Sequence, residues 1–386
     1  MLLIVVSAVP VVIWIYLLLC RGGFWQSLAL LERTARLKPP AKRVVAVIPA
    51  RNEANVIGEA VTSLLSQDFP APLRIILVDD GSTDDTVGAA RRAEERSDNS
   101  GCLAVVQGKP LIRGWTGKLW ALSQGVEAAA ALNPDYLLLT DADIRHGKSS
   151  VADLVGMAES GNYDLASVMV KLKCETVAEK ALIPAFVFFF LLLYPPAWIA
   201  SRSYKTAGAA GGCILIRTEA LNRIGGFAAI RKEIIDDCAL ARSVKRSGGR
   251  VWLGFSSATE SIRSYVTFRE IGRMISRTAF NQLHHSVLIL TATLSGLFLT
   301  YLLPPLLLIS RKPVAFACGL AAWILMAGCY RPMVRFYRGS VAWSFALPAI
   351  ALFYAGATIH SALSYWTGKG GKWKDRIQDS RASGVS

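Results

Sequence analysis

Ile75-Ile76-Leu77-Val78-Asp79-Asp80-Gly81-Ser82-Thr83-Asp84 is the stretch that decides the fold, and Tyr136-Leu137-Leu138-Leu139-Thr140-Asp141-Ala142-Asp143 repeats its pattern downstream. Each is a short apolar run that ends in carboxylates. A run of this kind, bounded by turn residues, reads as a strand buried on both faces. Its carboxylates then lie at the carboxyl edge of a parallel sheet, where open α/β folds bind ligands. Carboxylates gathered there suit a divalent metal holding a diphosphate.

Outward from these two runs the chain alternates. Val44 to Pro49, Leu73 to Val78, Leu103 to Gln107 and Tyr136 to Thr140 read as strands. Glu53 to Ser66, Asp84 to Arg96 and Lys118 to Leu132 read as the helices between them. Val56, Ile57, Ala60, Val61, Leu64 and Leu65 share one face of the first helix. Strands and helices alternating at this spacing imply a mostly parallel sheet covered on both sides.

Hydrophobic residues make up 53% of the 386 positions, concentrated at the two ends, as in a membrane protein. Residues 1–21 read as an uncleaved N-terminal transmembrane anchor. Arg21, Arg33, Arg36, Lys38, Lys42 and Arg43 follow it, which places the next segment in the cytoplasm. Residues 42–280 form the catalytic domain. Within it, Ile183 to Ala200 is apolar but carries Pro184, Pro195 and Pro196, and reads as a helix in the membrane interface. Residues 285–366 hold three spans, about 286–309, 314–330 and 341–365, with Arg331, Arg335 and Arg338 between the last two. Residues 367–386 form a basic tail.

The 43 basic and 28 acidic residues give a net charge of +15. Nucleic acid is excluded as its cause, because the basic residues are scattered near apolar spans and no nucleic-acid motif is present. Anionic lipid facing juxtamembrane Lys and Arg accounts for most of it. The seven cysteines and four histidines show no metal-ligand spacing, and the cysteines read as small buried hydrophobes.

The chemistry falls on five segments. Pro49-Ala50-Arg51-Asn52-Glu53 follows the first strand and can meet a nucleotide at the sheet edge. Asp79-Asp80 exceeds what a capped strand–helix turn needs, since two carboxylates desolvated together call for a cation or ligand. Asp141 and Asp143, two apart after a strand, are expected to face one metal ion, Mg²⁺ or Mn²⁺. Lys118, after Gly114-Trp115-Thr116-Gly117, is placed at a helix N-terminus to contact a phosphate. Glu233-Ile234-Ile235-Asp236-Asp237 opens another helix, and Asp237 is the candidate base for an acceptor hydroxyl.

The order of Pro49-Ala50-Arg51-Asn52-Glu53, Val78-Asp79-Asp80-Gly81-Ser82, Asp141-Ala142-Asp143, Gly211-Gly212-Cys213 and Asp236-Asp237 resembles family 2 glycosyltransferases. The Gly114–Lys118 segment, Arg277-Thr278-Ala279-Phe280-Asn281-Gln282-Leu283 and the apolar C-terminus resemble the hopene-associated branch found in bacterial hopanoid pathways. The resemblance implies a GT-A fold, a Rossmann-like mixed sheet, with membrane helices at both ends. It implies a nucleotide-diphospho-sugar donor, a divalent metal and inversion at the anomeric carbon.

Carried over by position, Pro49, Arg51, Glu53, Asp79, Asp80, Lys118, Asp141 and Arg277 would bind the donor, with Asp80 toward the base or ribose. Asp141 and Asp143 would hold the metal. Asp237 would be the base, and Asp236 stands where the family has Glu. The family's Gln-x-x-Arg-Trp motif keeps Arg277 but has Met274 and Thr278 in place of Gln and Trp, which speaks against processive synthesis. The expected protein is an inverting glycosyltransferase of the bacterial inner membrane, acting on a lipid hydroxyl such as a hopanoid's. A polyprenyl-phosphate acceptor and a non-catalytic donor-binding scaffold are the alternatives.

Overall fold

The computed structural model describes residues 2–26, 41–70 and 73–368, with two short backbone segments at 372–373 and 376–377. Arg33, Arg36, Lys38 and most of the expected basic tail lie outside the described residues. Eight strands make one sheet: β1 (Val44–Ala50), β2 (Arg74–Asp79), β3 (Leu103–Gln107), β4 (Tyr136–Thr140), β5 (Ile144–Arg145), β6 (Leu165–Lys171), β7 (Cys213–Arg217) and β8 (Val251–Ser261). Their order is β3-β2-β1-β4-β7-β6-β8-β5. β3, β2, β1 and β4 are parallel neighbours. β7 runs antiparallel to both β4 and β6. The sheet is therefore parallel on the side read from the alternating segments and mixed on the other.

β1 shows why the apolar runs form central strands. All seven of its residues are buried. Val45 and Val47 enter one core, while Ala46 and Ile48 enter the other, on the opposite face. The first core continues into the apolar helices, so sheet and helices share one packed interior. The helix expected from Glu53 starts four residues later, at Ile57. The N–H groups of Asn52, Glu53 and Ala54 donate instead to Ser82 Oγ, Thr86 Oγ1 and Asp84 Oδ2 of the loop after β2. Side chains that capture backbone donors in this way hold the segment as a loop.

Among the described residues, four helices are long and apolar enough to cross a membrane: 177–200, 287–307, 313–336 and 341–366. Leu2–Cys20 packs along Pro313–Phe336. Its Trp14 is fully buried, donates Nε1–H to Thr300 O at 2.9 Å and meets Tyr301 edge-on. The N-terminal helix thus belongs to the C-terminal bundle. Residues 298–302 form a π-turn just before Pro304 and Pro305, whose missing N–H groups break the regular ladder. Arg331 and Arg335 do not lie between helices: they form the last turns of Pro313–Phe336, where a good helix former with positive charge meets the helix dipole. Four cysteines are buried as expected, whereas Cys20 is exposed.

The apolar segment expected from Ile183 begins earlier, at Val177, because Thr176 and Glu179 make a reciprocal capping box. It runs through Pro184 to Leu193 and resumes at Pro196–Ala200. Glu179 is fully buried. One of its oxygens accepts from Glu175 N and Thr176 N, both at 2.9 Å. The other accepts from Ser264 Oγ at 2.9 Å and Tyr265 N at 2.7 Å. This carboxylate fastens the start of an apolar helix to the segment that follows β8. Glu179→Ala would strand those donors, each costing about 1–3 kcal/mol when unsatisfied, with water recovering a part. We expect a loss of about 2–4 kcal/mol, read as a lowered thermal unfolding midpoint in detergent.

Candidate active site

β4 ends at Thr140, and its hydroxyl fixes what comes next. Thr140 Oγ1 donates to Gly212 O at 2.9 Å and so must accept from His146 Nε2, also at 2.9 Å. His146 is buried and neutral, its pKa pushed down to about 4 by burial. Asp141-Ala142-Asp143 is a turn rather than strand, closed by Ile144 N donating to Asp141 O. Strand alternation therefore does not aim the two carboxylates. The turn aims them at one cavity but at different cations. Lys118 Nζ lies 3.0 Å from Asp141 Oδ1, and Arg263 Nε lies 2.7 Å from Asp143 Oδ2.

Lys118 sits in the first turn of the helix Gly117–Ala129. It also reaches Asp236 Oδ2 at 3.2 Å, joining the turn after β4 to the start of the helix Asp236–Arg246. Burial opposes its charge, but Asp141 and Asp236 together outweigh burial and hold the ammonium well above its usual range. The pull is not returned in full. Asp141 is shifted upward by burial, with repulsion from Asp143 and Asp236 adding to it against Lys118. Its side chain is 37% exposed, so water moderates that shift.

Asp237 lies deeper. Its Oδ2 accepts from Gly211 N at 2.9 Å, and its Oδ1 from Cys238 N at 2.7 Å. Burial first, then the charge of Asp236, lifts its pKa to about 6, against Lys118 and the two N–H donors. Space at Gly211 is tight: a Cβ there would stand 3.3 Å from both Asp237 Oδ2 and Lys118 Nζ and press on both. Ser167 holds this glycine turn, its hydroxyl accepting from Ala210 N at 2.9 Å.

A cavity of about 300 Å³ opens over these groups. Of the residues singled out in the sequence, Pro49, Glu53, Lys118, Asp141, Asp143, Asp236 and Arg277 line it. Asp237 lines the recess beneath, with Pro49, Lys118 and Asp236. Arg51, Asp79 and Asp80 line neither. Arg51 Nη1 donates to the carbonyls of Asp80 and Gly81. Asp79 accepts from Ser82 N at 3.0 Å and Gln107 Nε2 at 3.2 Å, closing the turn at Gly81, whose φ of +69° suits glycine. Asp80 is buried, its N–H donating to Ala50 O. Thr116, Glu233, Arg263 and Tyr265 also line the cavity. None was assigned from the sequence. Glu233 adjoined a motif already singled out, whereas Arg263 and Tyr265 carry no local signal.

Glu53, Asp141, Asp143, Glu233, Asp236 and Asp237 set six carboxylates against the three cations Lys118, Arg263 and Arg277. An anionic diphosphate entering this surplus needs further positive charge. Among the described residues, no group of three or more His, Cys, Asp or Glu could enclose a metal ion. The donor set that fits is Asp141 and Asp143, hard oxygens on one turn, with phosphate oxygens completing the shell of a Mg²⁺ or Mn²⁺ ion.

The family model for glycosyl transferase family 2 matches residues 45–236, from β1 to the acidic pair. The chain belongs to this family. Over 136 residues it is 34% identical to the undecaprenyl-phosphate 4-deoxy-4-formamido-L-arabinose transferase of Pseudomonas syringae, covering 34% of this chain and 37% of the relative. It is 27% identical over 245 residues to the probable glycosyltransferase YdaM of Bacillus subtilis, covering 60% and 54%. The matched part thus spans 37–54% of these relatives' own length. The mannosyltransferase PcManGT from Pyrobaculum calidifontis, solved with GDP-Man and Mn²⁺, aligns with 94% of this chain and 99% of its own. Its TM-score is 0.54 at 18% identity, a likeness of fold, and the fold is GT-A.

The charge arrangement has a measurable consequence. Lys118→Met would leave Asp236 and Asp237 without their nearest cation. The Asp237 carboxyl should then titrate above about 6, by about one further unit. Carboxyl-selective NMR titration of wild type and variant checks the direction.

Proposed function

We propose that the protein is a membrane-bound inverting glycosyltransferase that moves a sugar from a nucleotide-diphosphate donor to a lipid hydroxyl. The observation that carries this reading is the poise of Asp237. A carboxyl lifted to about 6 by burial, beneath a cavity with a D-x-D turn, suits a general base. The N–H groups of Gly211 and Cys238 hold the carboxylate fixed. Each oxygen keeps a lone pair for the acceptor hydroxyl. Asp237 takes the hydroxyl proton as the acceptor oxygen attacks the anomeric carbon from the face opposite the leaving diphosphate. Lys118, Arg263 and Arg277 are the cations available to that diphosphate. A Mg²⁺ or Mn²⁺ ion on Asp141 and Asp143 would neutralise the leaving group further. The neighbour solved with GDP-Man and Mn²⁺ supports this donor chemistry.

The acceptor is read as a lipid because the domain shares its core with apolar helices long enough to cross a membrane. The resemblance to the hopene-associated branch favours a hopanoid or similar polycyclic lipid. Lys42 and Arg43, between the N-terminal helix and β1, support a cytoplasmic catalytic domain at a bacterial inner membrane. A second reading has one specific support, the relative named as an undecaprenyl-phosphate sugar transferase. A phosphate acceptor is already anionic and needs no strong base.

Asp237→Asn distinguishes the two readings. With a hydroxyl acceptor, transfer should fall by about 10²–10⁴-fold while donor binding persists. With polyprenyl phosphate it should fall by less than about tenfold. Transfer from a panel of nucleotide sugars in detergent, beside donor binding by calorimetry, measures both; full activity on a hydroxyl acceptor would sink the base assignment.

The pH profile gives an independent check. The base form of Asp237 is available only above its raised pKa, so kcat/KM should climb with pH and level off past about 6. An ordinary exposed aspartate would place that limb near about 4.

A further inference from the structure

We propose that Arg263 is a resident counter-cation of the donor site, which holds Asp143 until a divalent metal displaces it. This rests on the metal and donor assignment above and adds a residue that the family resemblance did not supply. Arg263 follows the end of β8 and reaches two acids from different segments. Its Nε donates to Asp143 Oδ2 at 2.7 Å, and its Nη2 lies 2.8 and 2.7 Å from the two oxygens of Glu53. The side chains of Asp143 and Glu53 are only 14% and 11% exposed. Carboxylates so far from water are costly to bury without a paired cation.

Lys118 and Arg263, the two cations paired with the D-x-D acids, differ in their exposure. Lys118 is 19% exposed and fixed between Asp141 and Asp236. Arg263 is 34% exposed and borders the open cavity. A metal ion on Asp143 would need the oxygen at about 2.1 Å. The guanidinium nitrogen already sits against that oxygen at 2.7 Å. Two cations crowded on one carboxylate repel, so a metal ion on Asp143 weakens the hold of Arg263 on Oδ2 and favours its release. Glu53 remains as its second anchor and keeps it beside the cavity, where the freed N–H groups face the incoming diphosphate. The two acids thus stay paired and held in place until a metal binds, and metal affinity is set partly by the displaced ion pair.

Mn²⁺ binding followed by electron paramagnetic resonance tests this on the full-length, detergent-purified protein without nucleotide. Arg263→Gln should bind Mn²⁺ about tenfold more tightly, because no charge-assisted hydrogen bond has to break. Arg263→Lys, which keeps the charge without the forked geometry, should fall between that variant and wild type. It also guards against a misfolded Gln variant, and thermal unfolding compares both. Unchanged or weaker Mn²⁺ binding in Arg263→Gln, with Asp143→Asn still impairing it, overturns the counter-cation role alone. Mn²⁺ binding indifferent to Asp143→Asn overturns the metal assignment and this inference with it.

Discussion

Lys118 holds together two acidic segments that the chain keeps far apart. Asp141 closes the turn after β4, and Asp236 opens a helix beyond β7, yet both carboxylates reach the same ammonium, at 3.0 and 3.2 Å. Without that charge, carboxylates at close quarters in a half-buried recess would repel one another and take up protons. With it, Asp141 and Asp236 can face one cavity, and Asp237 is left poised between its neighbour's repulsion and the lysine's attraction. The backbone is arranged to allow this. Gly211 gives its N–H to Asp237 and has no side chain to part the lysine from the acid. The acidic turn after β4, the glycine turn before β7 and the start of the helix Asp236–Arg246 are thus one electrostatic unit.

The sheet explains why these groups converge. β4 has the parallel β1 on one side and the antiparallel β7 on the other. The carboxyl end of β4 therefore lies beside the amino end of β7, and Thr140 pairs with Cys213 across the ladder. The acidic turn after β4 and the glycine turn before β7 are brought to one edge by that register. Thr140 secures the junction by donating to Gly212 O. A slip by one residue would turn the strand's buried side chains to the wrong faces. The apolar alternation that fixes the fold consequently fixes the site.

How much of this was legible depended on where the physical signal lay. β1, β2 and β4 were readable because each is a dense apolar run buried on both faces, and the acids at their ends marked the edge. Lys118, Asp141, Asp143 and Asp237 were readable because charged residues at strand ends and helix starts are conspicuous. Asp79 carried the same local signal but a different fate: Ser82 N and Gln107 satisfy its carboxylate, and the glycine turn depends on it. Sequence position cannot separate an acid that closes a turn from one that faces a cavity; only the hydrogen-bond partners do. Arg263 was invisible for the converse reason. It stands in an unremarkable polar stretch, and its role arises because β8 runs on past β6 to pair with β5, delivering the next residues to Asp143 and Glu53.

The segment after β8 also gives the membrane side a mechanical hold on the site. Arg263 and Tyr265 line the cavity, and between them Ser264 donates its hydroxyl to Glu179. Glu179 belongs to the first turn of the most apolar of the long helices, and it accepts Tyr265 N as well. A shift of that helix would carry the 263–265 segment with it, because the buried carboxylate cannot release Ser264 Oγ and Tyr265 N without leaving both unsatisfied. The same helix is anchored at its far end, where Tyr194 Oη accepts from Gln282 Nε2 at 2.7 Å, just ahead of the C-terminal bundle. Motion of these helices would therefore reach Arg263, the cation paired with Asp143, through three consecutive residues.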